Sequence, residues 1–132
     1  HLAGALIARS LRMTIALMPF IMGLCALAMV LINGALNPTI VLVAIWGMAF
    51  GGVPVAWSTW ITRMVPDEAE SGGGLLVAGF QTAIAAGAIT GGVMFDFIGA
   101  LGVFELGGIA LVVASVVVTA VLRPAPAVSE QA

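Results

Sequence analysis

Lysine and tyrosine are absent from the 132 residues, cysteine and histidine occur once each, and charged residues make up only 8%. A water-soluble domain is about 25% charged, so an ordinary soluble globule is excluded. Four arginines against six acids leave a formal charge of -2, with no basic run. That removes the electrostatic footprint of a nucleic-acid binder and of a polybasic lipid-surface segment. The lone Cys25 permits neither an internal disulfide nor a thiolate metal cage. One His, one Cys in an apolar run and no paired carboxylates supply no nucleophile–base pair and no metal set. The sequence therefore points to no catalytic residues, no metal, no cofactor and no nucleic-acid partner.

What is present is hydrophobic: 62% of the residues, against about 45–50% in a typical soluble domain. The solvent for this chain is a lipid bilayer. Crossing about 30 Å of hydrocarbon takes about 20 apolar residues in a helix. Four stretches qualify, at 13–36, 39–62, 75–95 and 101–122. None shows period-2 alternation, so the expected class is an all-α membrane protein with four transmembrane helices. Asn33-Gly34 to Asn37-Pro38 break the first run from the second, and Asp96 with Gly99 breaks the third from the fourth. Residues 63–74, polar and Gly-rich, read as a loop, and 123–132 as a disordered tail. Residues 1–8 are apolar but too short to cross, and no initiator Met, charged n-region or cleavage motif opens the chain. The expectation is the end of a preceding helix and a piece of a longer protein.

All four arginines fall on one side of these spans: Arg9 and Arg12 before the first, Arg63 between the second and third, Arg123 after the fourth. The positive-inside rule then puts both termini and the 63–74 loop in the cytoplasm.

Polar groups within the spans are few. Gln81 and Thr82 lie about two turns into the third, Thr90 deeper, and Ser115 and Thr119 share a face of the fourth. Two readings stand for Gln81: a hydrogen bond to a neighbouring helix, or a place on a solute pathway. Trp46, Phe50 and Trp57 share a face of the second span and offer the same choice between pathway and packing. Trp60 reads as an interfacial belt residue, and Pro54 predicts a kink or local unwinding near residues 48–50. Asp96 and Glu105 are the only acids near apolar surroundings. Each is open to a solvated, capping or dipole-matched role, or to proton coupling. Gly79, Ala83, Gly87 and Gly91 recur at every fourth position, and Gly47 and Gly51 repeat the spacing, a stripe that lets another helix approach closely.

The run Ala44-Ile45-Trp46-Gly47-Met48-Ala49-Phe50, followed by Val53-Pro54-Val55-Ala56-Trp57-Ser58-Thr59-Trp60-Ile61-Thr62-Arg63, resembles the tenth transmembrane helix of drug/proton antiporter-type permeases of the major facilitator superfamily. Gln81, Gly87, Gly91-Gly92, Asp96 and Ile98-Gly99 are similar to the eleventh helix and its following turn, and Gly4 with Arg9 and Arg12 to the end of the eighth and its cytoplasmic loop. The resemblance implies the C-terminal part of a twelve-helix fold built from inverted repeats, with the N-terminal half of the same permease as partner. It also implies a multi-pass protein of the bacterial inner membrane that exports a small solute, purine ribonucleosides or related compounds, by proton antiport and alternating access. Two other readings compete: a four-helix small multidrug-type exporter, which relies on an acid in its first helix where this chain has none, and a non-transporting membrane subunit.

Overall fold

The computed structural model describes residues 2–33 and 35–121. They form α1 (Leu2–Leu31), α2 (Leu36–Met64), a single 3₁₀ turn at Pro66–Glu68, and α3 (Ala69–Val121). No strand occurs among the described residues, and three helices are long and apolar enough to cross a membrane.

The helix ends follow from local chemistry. Asn33 adopts φ 48, a left-handed conformation that asparagine tolerates better than most residues, and it closes α1 with a bond from its N–H to the Val30 carbonyl. Pro38 falls in the first turn of α2, where an amide hydrogen would have no helical acceptor. At the far end Val65 leaves the helical region at φ -136 and ψ 66, as the residue before a proline is driven to do. Arg63 in the last turn of α2, and Asp67, Glu68 and Glu70 at the start of α3, each carry the charge that the adjacent helix dipole favours.

Three boundaries differ from the sequence expectation. First, α1 runs unbroken from Leu2 to Leu31, so residues 2–8 lie in the same helix as residues 13–31; nothing between Arg9 and Met13 is a helix breaker. Second, the polar connection is Val65 plus one 3₁₀ turn, and Gly72 to Gly74 are helical. Gly72 serves contact there, because a Cβ on it would meet Ile61 Cγ2 at 2.7 Å. Third, α2 stays helical past Pro54, so of the two expected alternatives, a kink or local unwinding near residues 48–50, the unwinding does not occur. Proline removes one backbone bond, and the turns on either side keep theirs. The expected tail 123–132 lies outside the described residues.

Gly99 breaks α3 at φ 70 and ψ -179, a combination open only to glycine. A Cβ on Gly91 would lie 4.0 Å from Val103 Cγ1. Twelve residues of straight helix would separate these positions by about 18 Å, so the chain turns back at Gly99. Gly87, Thr90, Gly91 and Met94 face Val103, Leu106, Gly107 and Ala110 across a shared recess, which makes the two arms antiparallel.

The second arm lies along α1. Arg12 Nη2 donates to the Thr119 carbonyl, Ser115 Oγ donates to the Ala16 carbonyl at 2.7 Å, and a Cβ on Gly23 would stand 2.9 Å from the Gly108 carbonyl oxygen. Partner numbers fall along α3 as they rise along α1, so this pair is antiparallel as well. The core sits on α1, with Ile15, Ala16, Met22, Cys25, Ala26 and Met29 buried, joined by Ala49 and Ala56 of α2. Elsewhere the surface is apolar: Met48, Phe97 and Leu36 are among many large side chains left exposed, as lipid contact requires.

Candidate functional site

Two of the four residues expected on a solute pathway come together. Phe50 and Gln81 line one open recess of about 540 Å³ between α2 and the first arm of α3, with Val53, Pro54, Val77, Phe80, Ala83 and Ile84. Gln81 is exposed and forms no hydrogen bond among the described residues. Its amide, with two donors and an acceptor, is the one strongly polar side chain in an otherwise apolar wall. Thr82, next to it, is satisfied within its own helix through a 2.8 Å bond to the Ala78 carbonyl, as is Thr90 to Ala86 at 2.8 Å.

Trp46 and Trp57 stand apart from that recess. The Trp46 ring stacks on Phe50, centroids 5.5 Å apart and planes 3° apart, and Trp46 lines a separate recess with Met29, Val43 and Phe104. Trp57 meets Trp60 edge-on at 5.8 Å and 77°, and both rings pack on the buried Ile15 and Ala56. Trp57 also borders a second recess, of about 500 Å³, towards Gly72 and Leu76. Phe80 is the one wall residue shared with the Gln81 recess. The aromatic face of α2 thus divides into a Trp46–Phe50 pair and a Trp57–Trp60 pair.

Trp60 sits half-buried against the core, with Nε1 enclosed and unpaired, unlike a belt tryptophan whose N–H reaches the headgroup layer. A shielded donor without a partner costs about 1–3 kcal/mol. Trp60→Phe removes that donor while keeping an aromatic body, and the folded fraction in detergent, followed by thermal unfolding, is expected to hold or rise. A fall of more than a few degrees in the midpoint would show that the indole makes a hydrogen bond in the membrane.

The small-residue stripe makes no close contact here. A Cβ on Gly47, Gly51, Gly79 or Gly87 would meet nothing within 4 Å, and one on Gly91 only Val103. The tight glycines between helices are instead Gly72, against Ile61 of α2, and Gly23 with Gly108 at the α1–α3 crossing, which no four-residue repeat announces; Ser115 and Thr119, which share a face in the sequence, both lie on that seam. Asp96 lies one turn before the Gly99 break and Glu105 on the second arm, both exposed.

Over 118 residues the chain is 38% identical to the purine ribonucleoside efflux pump NepI of Salmonella enteritidis PT4, a match that covers 89% of this chain and 30% of that protein. The chain is similar to bacterial purine ribonucleoside efflux pumps. The proteins of the same name from Salmonella typhimurium LT2 and Salmonella typhi are 37% identical over the same 118 residues. The chain spans 30% of the length of these relatives. No protein-family model matches it, and no solved structure does. With three long apolar helices and efflux pumps for relatives, the chain is a multi-pass membrane protein.

Proposed function

We propose that this chain is the C-terminal third of a major facilitator permease that exports purine ribonucleosides or related small solutes in exchange for protons. The observation that carries the proposal is the recess that sets the Phe50 ring beside the Gln81 amide. A purine presents a flat π surface and a hydrogen-bonding edge, and these two side chains meet one demand each. The relatives' name, purine ribonucleoside efflux pump, and the 30% of their length that is matched support the same reading. In it, each arm of α3 crosses the bilayer, giving four spans with Gly99 at the outer turn and the arginine-bearing ends in the cytoplasm. The open stripe of Gly47, Gly51, Gly79, Gly87 and Gly91 then receives helices of the N-terminal half, and alternating access rocks one half against the other. Asp96 and Glu105 are the acids of this part available to protons.

The test is efflux of inosine from loaded cells that express the whole transporter. Export above that of cells with an empty vector, abolished when a protonophore collapses the proton gradient, is the expected result. Efflux no faster than the vector control would overturn the substrate, and efflux indifferent to the protonophore would overturn the antiport.

A further inference from the structure

Pro54 lies in the middle of α2 and in the wall of the Gln81 recess. An α-helical carbonyl accepts from the N–H four residues on, and for Phe50 that position is a proline with no N–H to give. The helix continues regardless, so the Phe50 carbonyl is left as an acceptor without its helical donor. Phe50, Val53 and Pro54 together make the α2 side of the recess, which locates the gap on that wall. In a membrane an unpaired carbonyl is retained where it lines a cavity or meets a partner.

Pro19 in α1 provides the contrast. It frees the carbonyl of Ile15, a residue only 2% exposed, on a stretch of α1 covered by the second arm of α3, where Ser115 Oγ bonds the next carbonyl, that of Ala16, at 2.7 Å. At Pro54 no described side chain donates, and the nearest amide in the wall, Gln81, is itself without a hydrogen bond among the described residues. One proline gap lies in the packed core of the fold and the other opens on the recess.

We infer that the Phe50 carbonyl is a specificity determinant for the exported solute, accepting an N–H from the edge of a bound base while the Gln81 amide donates to the neighbouring acceptor. The inference rests on the export reading above and narrows its substrate class to bases with a donor and an acceptor side by side. Inosine, with N1–H beside O6, and adenosine, with its 6-amino group beside N1, both qualify. Purine riboside carries hydrogen at C6 and has no donor on that edge.

The experiment compares efflux of inosine and purine riboside from cells expressing the whole transporter, as wild type, Pro54→Ala and Pro54→Ser. Both substitutions return an N–H to position 54 and give the Phe50 carbonyl its helical bond, and both suit a helix interior better than proline, so folding is favoured. Wild type is expected to export inosine about tenfold faster than purine riboside, the discrimination that one unmatched hydrogen bond supports. In both variants the preference is expected to shrink to about twofold or less, with purine riboside export retained. An undiminished preference in the variants, or none in wild type, overturns this inference and leaves the export reading standing. Failure of wild type to export either nucleoside overturns the export reading itself.

Discussion

Leucine in place of Gly23 is expected to abolish folding of this helical unit. A Cβ there would already lie 2.8 Å from Val112 Cγ2 and 2.9 Å from the Gly108 carbonyl oxygen, and the second of these is backbone that moves only if the helices part. Overpacking of a tight contact costs about 1–3 kcal/mol, and parting the helices also stretches the Ser115–Ala16 bond about two turns away. Alanine makes the sharper comparison. Gly→Ala inside a helix gains about 1 kcal/mol of propensity wherever it is made, so Gly47→Ala, where the Cβ meets nothing within 4 Å, is expected to raise stability. Gly23→Ala receives the same gain and loses it to the clash. The folded fraction on size-exclusion chromatography in detergent, read after a heating series, should rank Gly47→Ala first, then wild type, Gly23→Ala and Gly23→Leu. If Gly23→Ala equals Gly47→Ala, α1 and α3 do not cross at glycine.

That crossing marks the limit of what the sequence discloses. Helix and membrane were legible because they depend on run length and on the scarcity of charge, both of which are local. The reversal at Gly99 was legible for the same reason, since an acid and a glycine interrupt an apolar run. Which helices touch was not. Helices that are apolar on every side carry no hydrophobic face to read, and lipid does not push them together as water would. The glycine stripe therefore drew notice by its spacing, while contact within this chain settled on Gly23 and Gly108. The site shows the same division. Periodicity set Trp46, Phe50 and Trp57 on one face of α2, but a face is not a neighbour, and only the path of α3 assigns Gln81 to Phe50 rather than to Trp57. The short 3₁₀ link at Pro66–Glu68 went unread because its acids look like loop, although they also suit the start of a helix.

If the proposed export reading holds, Gln81→Leu in the whole transporter is expected to cut inosine export by about ten- to a hundredfold while leaving the amount of protein in the membrane unchanged, the range that loss of one or two hydrogen bonds to a desolvated base implies. Gln81 is exposed in its recess and bonds to nothing among the described residues, so a leucine of similar size takes no contact away from the fold. Phe50→Ala should act in the same direction through lost stacking, worth about 1–3 kcal/mol per base, with a smaller cost from the broken pairing with Trp46. Trp57→Ala should behave differently. Its ring packs on Ile15 and Ala56, so truncation opens a hole beside the core and lowers folded yield, and the protein that does fold should keep its substrate preference. Rate per folded molecule, from export divided by the quantity of properly folded transporter, separates the two classes. Parental export per molecule from both Gln81→Leu and Phe50→Ala would make that recess a packing defect and move the solute contact elsewhere on the protein.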